Sequence, residues 1–287
     1  MFNIDLHCHS NVSDGMLPPA GVVARAAANG VHALALTDHD DVGGIGEARA
    51  TAAALGVALI PGVEISVTWR GRTVHIVGLR IDPAHPELAA GLHAIRAGRI
   101  ARAQRMGDDL ARAGIAGAYD GAFALAANKE MVGRTHFARW LVAEGHVADI
   151  RSAFRRFLTP GNPGYVEHEW TTLENAVGWI RASGGMAVVA HPGRYPFDAR
   201  ELHLLLDAFR ALGGEGIEVI TGSHHPSEYG KFADLARAFG LKASRGADFH
   251  APGEGLDIGR LPALPHYCQP VWHDWPEFAA HLSTAPN

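Results

Sequence analysis

The feature that most restricts the fold is a regular alternation of short apolar runs with longer alanine-rich runs. Three apolar runs open the chain, FNIDLHC, ALALTD and VALIPGVEI, and predicted helices at 17–29 and 45–55 separate them. The alternation resumes later with GMAVVAHPG, GIEVI and KASRGADFH, separated by predicted helices at 199–212 and 227–239. A glycine follows each of these helices, which is typical of helix ends: Gly30, Gly56, Gly213 and Gly240. This βαβ pattern favours a mainly parallel sheet.

Two segments depart from the alternation. Residues 64–81 form two alternating apolar runs around Arg70-Gly71-Arg72, which predicts a hairpin that leaves the βα pattern as an excursion. Residues 85–164 contain four helical runs and end at a Pro/Gly-rich stretch. We call this segment the helical insertion and predict that it packs as a lid over a discontinuous catalytic domain, formed by 1–84 and 165–287.

Composition limits the classes of protein to which the chain can belong. Of its 287 residues, 47% are hydrophobic and 19% are charged, as in ordinary globular proteins, and the net charge of −5 comes without a basic tract. Two cysteines, Cys8 and Cys268, are too few for a disulfide framework or a thiolate zinc site. Because no signal peptide or membrane-spanning run is visible, we expect a cytoplasmic protein without membrane contact or an obligate protein partner.

The first strand carries a pair of histidines with the spacing of metal ligands. His7 and His9 are two residues apart, so in a strand both side chains project to the same face, separated by about 6.6 Å along the chain. Two imidazoles so placed can converge on one ion. The pair alone is weak evidence, because many such pairs are ordinary surface or buried histidines.

The later strand ends strengthen the metal hypothesis. Each offers further oxygen or nitrogen ligands, namely Asp38, His39, Asp40, Glu64, His191, Asp248 and His250, and Asp14 and His75 lie in neighbouring segments. In βα folds the carboxyl ends of parallel strands meet at one rim, where active sites form. Two simpler interpretations remain: His75 as a core histidine, and Asp40 or Asp41 as the cap of the helix that begins near Gly44.

Six short motifs resemble, in their order, those of the PHP (polymerase and histidinol phosphatase) family. They are DLHCHS, TDHD, PGVE, HIVGL, AHPG and GADFH. They cover roughly 2–79 and 186–250. The resemblance implies an α/β fold, a distorted seven-stranded TIM-like βα barrel of PHP type, here with the helical insertion. The last motif departs slightly, since Ala247 stands where relatives usually have serine.

The same resemblance implies three divalent ions in each chain. One ion would be held by His7, His9, Glu64 and Asp248, a second by Glu64, His75 and His191, and a third by Asp14, His39 and His250. Glu64 would bridge two ions. Asp38 and Asp40 would orient histidines or cap loops. Mixed nitrogen and oxygen ligands without thiolate suit Mn²⁺, which we expect first, and also Fe²⁺ or Zn²⁺.

Charge counting supports a phosphate substrate independently. Three divalent ions, three carboxylates and a bridging hydroxide leave a net charge of about +2, which matches a phosphate monoester of roughly −2. We therefore expect a metal-bridging hydroxide, and no nucleophile from the protein, to attack phosphorus. Arg194 and His224 are candidates to support departure of the leaving group, and Arg134 is a further substrate contact. Arginine stays protonated and can only stabilise charge.

Arginines recur every three residues in the helical insertion, at positions 96, 99, 102 and 105. A solvated basic helix face is the common explanation for such a stripe. If the helix covers the metal ions, however, Arg99 and Arg102 could bind a second phosphate, since guanidinium matches phosphate oxygens bidentately. Tyr195, Phe197 or Trp170 could then flank a base, or belong to the core.

Further features resemble the branch of the family that includes 3′,5′-nucleoside bisphosphate phosphatases. They are the helical insertion and the segments GRTHFARWL, NPGYV, HPGRYP and GSHHP. This implies removal of the 3′-phosphate to leave a 5′-nucleotide, with a small nucleotide as the binding partner. Three different functions remain open: a 5′-to-3′ exoribonuclease on short RNA, a histidinol-phosphate phosphatase, and a non-catalytic PHP module. The arginines oppose an ammonium-bearing substrate, and non-catalytic modules often lose ligands that are all present here.

Overall fold

The computed structural model describes residues 2–278. Within them, one seven-stranded sheet follows chain order: β1 Ile4–Asp5, β2 Ala33–Leu36, β3 Ala58–Trp69, β4 Arg72–Leu79, β5 Met186–Val189, β6 Gly216–Thr221 and β7 Lys242–Gly246. The last strand returns to the first, since Leu6 N donates to Arg245 O (3.0 Å) and Asp248 N donates to His7 O (2.9 Å). The sheet is thus nearly closed into a barrel, which confirms the predicted fold class.

Among the described residues, five helices cover the outside of this sheet; four lie where the alternation predicts helices, and the helix at 173–182 was not predicted. They are α1 Pro19–Ala28, α2 Ile45–Leu55, α7 Leu173–Ala182, α8 Ala199–Ala211 and α9 Tyr229–Ala238. Apolar side chains face the strands because each helix repeats them on one face: α8, for example, buries Leu202, Leu205, Leu206 and Phe209. Gly56 ends α2 in the left-handed conformation, with φ of 69°.

The predicted hairpin is present, but the expectation that it leaves the barrel is wrong. β3 and β4 pair antiparallel from Gly62↔Leu79 to Trp69↔Arg72. β4 then pairs antiparallel with β5, so it is itself a strand of the barrel. The reason is burial: Val74 and Ile76 of β4 are fully buried, and only a place within the sheet covers them. β4 is antiparallel to both of its neighbours, and the other adjacent strands are parallel.

The helical insertion contains four α-helices: α3 Pro86–Arg112, α4 Ala118–Leu125, α5 Arg134–Ala143 and α6 Ile150–Ala153, the last continuing as a π-helical turn through Phe154–Leu158. The long helix α3 contributes to two cores. Its first half packs Leu88 and Leu92 with the barrel, whereas Met106 and Leu110 pack with α4 and α5 in a separate apolar cluster. The arginine stripe of α3 therefore lies where the two cores meet.

Candidate metal centre

The first strand leads directly into a buried histidine pair. The Nε2 atoms of His7 and His9 lie 3.1 Å apart, and both side chains are fully buried. Glu64 Oε2 is 3.4 Å from each of these atoms. Asp248 Oδ1, from the loop after β7, lies 3.5 Å from His7 Nε2 and 3.3 Å from His9 Nε2. The structure thus brings together the four residues expected to hold the first ion.

Glu64 is the centre of the cluster. Its Oε1 lies 3.0 Å from His75 Nδ1 and 2.8 Å from His191 Nε2, and this set is the one expected to hold the second ion. Its Oε2 lies 2.9 Å from His39 Nδ1. His75 contacts the central carboxylate and lines the same cavity as His39, which favours the metal interpretation over a satisfied core histidine.

The residues expected to hold the third ion also converge. Asp14 Oδ1 is 3.3 Å from His250 Nε2 and 4.0 Å from His39 Nε2. His9 adjoins this group, since its ring centroid lies 4.2 Å from that of His250. Ligand atoms of His9, Asp14, His39 and His250 all lie within 4.8 Å of one another. His9 and Glu64 therefore border more than one of the three groups.

Unsatisfied oxygens show that this donor set fits metal ions. Asp14 Oδ1, Glu64 Oε2 and Asp248 Oδ1 are buried and have no hydrogen-bond partner among the described residues. Buried polar atoms are rarely left unsatisfied, and carboxylate oxygens together with imidazole nitrogens are ligands that divalent transition metals prefer. The oxygens of Glu64 and Asp248 lie in the first group and that of Asp14 lies in the third, so cations in these two groups would compensate them.

The electrostatics suit cation binding. Burial raises the pKa values of Asp14, Glu64 and Asp248, but the surrounding histidines more than offset it and hold all three well below the ordinary range. Burial lowers the pKa of His9 and of His191 to about 3, so both rings are neutral and can donate a lone pair. Burial lowers the pKa of His250, but the negative charge of Asp14 more than offsets this and raises the pKa to about 9. A cation bound to His250 would therefore displace a proton.

One carboxylate that supports the cluster was missed from the sequence. Glu218, in β6, is 1% exposed; its Oε1 lies 2.8 Å from His7 Nδ1, and its Oε2 accepts from the backbone N of His191 (2.6 Å). It fixes the orientation of the His7 ring, as carboxylates do behind metal-binding histidines. The signal was present: a single acidic residue within the otherwise apolar run GIEVI.

Asp38 and Asp40 hold loops. Asp38 accepts hydrogen bonds from Ser10 N (2.7 Å), Ser10 Oγ (2.6 Å) and Ser13 Oγ (2.6 Å), which shapes the loop after β1. Asp40 accepts from Ser66 N (2.7 Å) and pairs with Arg99. Of the two expected roles, loop capping is confirmed. The interpretation in which Asp40 or Asp41 caps a helix is wrong, because α2 has Gly44 as its N-cap and no side-chain cap.

Four arginines line one cavity together with members of the cluster. The cavity walls include His39, His75, His250, Arg99, Arg102, Arg134 and Arg194. Arg99 and Arg102 are only 8% and 6% exposed, so for them the solvated basic face is the wrong interpretation. Arg105, on the same stripe, is exposed as that interpretation predicts. The arginines of the helical insertion and the metal ligands of the barrel therefore face the same space.

These arginines differ in how their charge is balanced. Arg99 pairs with Asp40, and Arg194 Nη1 lies 2.8 Å from Asp248 Oδ2. Arg102 donates from Nε to the carbonyl of Val166 (3.1 Å), and Arg134 has neither a hydrogen bond nor an ion pair among the described residues. Burial and neighbouring positive charges lower the pKa of Arg102 to about 9 and also that of Arg134. A bound anion would relieve this repulsion.

His224 does not contact the cavity. Its Nε2 accepts from Gly193 N (2.9 Å), its Nδ1 donates to Val219 O (3.1 Å), and its ring stacks on Phe232 at 4.2 Å. Both nitrogens are occupied in holding the turn that follows His191. The expectations that His224 contacts substrate or supports departure of the leaving group are therefore contradicted.

Of the three candidate aromatic residues, only Trp170 lines the cavity. The guanidinium carbons of Arg99 and Arg102 lie 4.6 and 5.4 Å from its ring centroid. The Tyr195 hydroxyl donates to Ala190 O (2.8 Å) and accepts from His75 N (2.8 Å), so this side chain supports the strand ends. Phe197 packs against Trp69 at 5.4 Å.

No helix among residues 2–278 is both long and apolar enough to cross a membrane.

The chain is similar to known proteins in both sequence and fold. A PHP domain model matches residues 5–131. The chain is 56% identical over 275 residues to a 3′,5′-nucleoside bisphosphate phosphatase of Chromobacterium violaceum, and the match covers 96% of each protein. It is 44% identical to a 5′-3′ exoribonuclease of Haemophilus influenzae, and this match covers 93% of this chain and 97% of that protein. A solved structure described as an amidohydrolase from Chromobacterium violaceum with bound sulfate and no metal superposes with a TM-score of 0.92, at 56% identity and 94% coverage of both chains.

Proposed function

The chain belongs to the PHP family, and from this premise we propose that it is a metal-dependent phosphatase that removes the 3′-phosphate of nucleoside 3′,5′-bisphosphates. One observation carries the proposal: the ligand cluster and four arginines line the same cavity. A substrate with two phosphates can place one on the metal ions and the other on the arginines. The relative that is 56% identical is named for this activity.

We expect the nine predicted ligands to hold the ions. Eight of them fall in close groups in the structure, where His39 lies with Glu64 and His75, and His191 reaches the same Glu64 carboxylate. Bound divalent cations would lower the pKa of an attacking water and stabilise charge on the phosphate. Glu64, with contacts to histidines of all three groups, would set the spacing of the cluster. We expect three ions per chain, with Mn²⁺ as the metal.

Arg194 would contact the phosphate that is hydrolysed. Its guanidinium is anchored to Asp248 by one nitrogen, and its side chain is 47% exposed, so the remaining N–H groups can reach an anion beside the cluster. Because arginine stays protonated, Arg194 would stabilise negative charge on the phosphate or leaving oxygen and would not donate a proton.

The second phosphate would lie at the start of α5. Gly133, Arg134 and Thr135 line the cavity there, and the first N–H groups of a helix are free to bind an anion. Arg102 and Arg134 face this end with no acidic partner among the described residues. Helix terminus and guanidiniums would together neutralise a dianionic 5′-phosphate.

A second candidate function, 5′-to-3′ exoribonuclease activity on short RNA, is favoured by one specific feature. A further pocket adjoins the first past Arg194 and His250 and is lined by Ser223, Glu254 and Leu256. It would leave room for the nucleotide on the far side of a scissile phosphodiester. The relative from Haemophilus influenzae is named for such an activity.

A histidinol-phosphate phosphatase and a non-catalytic PHP module receive less support. A histidinol-phosphate phosphatase must accept an ammonium group, which the four arginines would repel. A non-catalytic module need not keep its ligands, whereas all nine candidate positions are filled here; eight fall in groups that could hold a metal ion, and His191 contacts Glu64.

The test is a comparison of phosphate release by the purified Mn²⁺-loaded protein. The substrates would be adenosine 3′,5′-bisphosphate, AMP, histidinol phosphate and a short 5′-phosphorylated RNA, with nucleotide products separated chromatographically. We expect fast conversion of the bisphosphate to AMP and no release of phosphate from AMP. A preference for histidinol phosphate, or release of the 5′-phosphate, would contradict the proposal. A higher kcat/KM for the RNA would favour the second candidate.

A further inference from the structure

The helical insertion reaches into the metal centre through one hydroxyl group. Thr135, in the first turn of α5, donates from Oγ1 to Asp14 Oδ2 at 2.8 Å. The other oxygen of the same carboxylate, Oδ1, has no hydrogen-bond partner among the described residues and lies 3.3 Å from His250 Nε2. The two oxygens of Asp14 are thus divided: one is fixed by α5, and the other is left for a cation.

A second residue of α5 holds the backbone of the same loop. Arg139 is four residues after Thr135, so both side chains lie on one face of the helix. Its Nη1 donates to the carbonyl of Asp14 at 2.6 Å, and its Nη2 lies 3.0 Å from Glu254 Oε2 in the loop after β7. The Arg139 side chain is only 13% exposed, so most of it is shielded from water.

Both loops that α5 contacts carry candidate ligands. Asp14 lies in the loop after β1, and His250 lies with Glu254 in the loop after β7. The two loops also meet directly, since Met16 N donates to His250 O at 2.8 Å. Helix capping does not explain the Thr135 contact, because the N-cap of α5 is Gly133 and the Thr135 hydroxyl points to Asp14.

We propose that Thr135 and Arg139 are positioning residues that hold Asp14 in place for the ion shared with His39 and His250. The proposal rests on the metal centre described above. Thr135 sets the rotation of the carboxylate, and Arg139 sets the position of its backbone. The helical insertion is then part of the structure that builds this ion site, in addition to covering the cavity.

The size of the effect follows from what such supporting contacts contribute elsewhere. Removing a hydrogen-bond partner behind a metal ligand commonly costs about 10–100-fold in metal affinity. The loss should be confined to one ion, because the Thr135 hydroxyl contacts none of His7, His75, His191 or Glu64 among the described residues. The other two ion groups do not include Asp14, so they should keep their affinity.

The experiment compares Thr135→Val, which removes the hydroxyl at nearly constant shape, with Thr135→Ser, which keeps it. Thr51→Val, the same change on α2 where the hydroxyl donates to the carbonyl of Glu47 (3.2 Å), is the matched control. Arg139→Gln tests the backbone contact separately and replaces Thr135→Val if that variant does not fold. Each protein is titrated with Mn²⁺ alone, bound ions are counted by elemental analysis, and folding is followed by thermal melting.

We expect Thr135→Val to bind one ion about 10–100-fold less tightly, Thr135→Ser to stay within a few fold of the unmodified protein, and Thr51→Val to be unchanged. Arg139→Gln should weaken the same single ion. Unchanged Mn²⁺ affinity in both Thr135→Val and Arg139→Gln, or equal losses in Thr135→Val and Thr135→Ser, would overturn the proposal. These readouts use no substrate, so failure of the phosphatase assignment would be seen separately.

Discussion

The metal-ligand cluster and the arginine cavity share a wall but are built in opposite ways. In the cluster, carboxylates, which are acidic, lie within 4 Å of imidazoles, which are basic. Glu64, for example, contacts His39, His75 and His191. In the cavity, guanidiniums of like charge are held together, and Arg134 lacks an acidic partner among the described residues. Attraction between carboxylates and imidazoles contributes to the first, which cations would complete, whereas the scaffold imposes the second, which an anion would complete.

The largest effect is expected in the cluster. Replacing His191 by Asn removes a neutral imidazole from the central carboxylate Glu64 and should lower kcat by on the order of 10³. The measurement is steady-state phosphate release together with metal content. Normal turnover by the variant with fewer bound ions would break the comparison, since the cluster would then not be the reacting part.

The second effect is on stability and separates the two kinds of arginine. Arg99 is buried against Asp40, so Arg99→Met leaves a buried carboxylate without its partner and should cost roughly 3 kcal/mol or more in the free energy of unfolding. Arg134→Met removes a charge without such a partner and should cost far less. Denaturant unfolding measures both; equal losses would show that the two arginines do not differ in this way.

The third effect is on substrate binding. Here the arginine without an acidic partner among the described residues, Arg134, is the one whose replacement matters. Arg134→Met should raise KM for adenosine 3′,5′-bisphosphate about 10–100-fold, the loss of a charge-assisted hydrogen bond, while the Mn²⁺ content stays unchanged. Arg105→Met, on the exposed part of the α3 stripe, is the matched control and should leave KM within about twofold. A similar rise in both variants would mean a general electrostatic effect instead of a binding cavity.

The smallest effect concerns pH. His136 is 3% exposed, and its Nδ1 accepts from Gly133 N (3.2 Å) at the start of α5; burial lowers its pKa to about 4. Because the unfolded chain takes up the proton near pH 6.5, this contribution to stability is complete above that pH and is lost as the pH falls toward 4. Between pH 7 and 5.5 the loss is roughly 1 kcal/mol.

His136→Gln should lack this part of the pH dependence. The check is the free energy of unfolding of both proteins at pH 7 and 5.5, compared as a difference so that other histidines cancel. Parallel changes in the two proteins would show that His136 does not titrate on unfolding.

The difference between the two regions also explains what the sequence could predict. The strand pattern predicts that His7, His9 and Asp248 lie near one another, because they follow β1 and β7 and the ends of parallel strands meet at one rim; Glu64 joins them from within β3. A helix stripe gives no such constraint. Arg102 and Arg105 are equivalent in spacing, yet one is buried and the other exposed, because only the packing of α3 between two cores decides this.

The remaining differences have the same origin in tertiary contacts. His224 is of a residue type that is common in active sites. In the structure, however, both of its ring nitrogens form hydrogen bonds with the backbone of Gly193 and Val219. Glu218 supports His7 from β6. The sequence pattern predicts a buried strand there but does not show that its one acidic side chain contacts a histidine. β4 joins the barrel because burial of its apolar face requires it, although local alternation predicts only a hairpin.

The most direct test of the two-phosphate account is the ratio of kcat/KM for adenosine 3′,5′-bisphosphate to that for adenosine 3′-monophosphate. Both can place a 3′-phosphate on the metal ions, and only the first can place a 5′-phosphate on the arginines. We predict a preference of at least about 100-fold for the bisphosphate, largely lost in Arg134→Met, from two or more charge-assisted hydrogen bonds. Equal kcat/KM values for the two substrates would contradict the account.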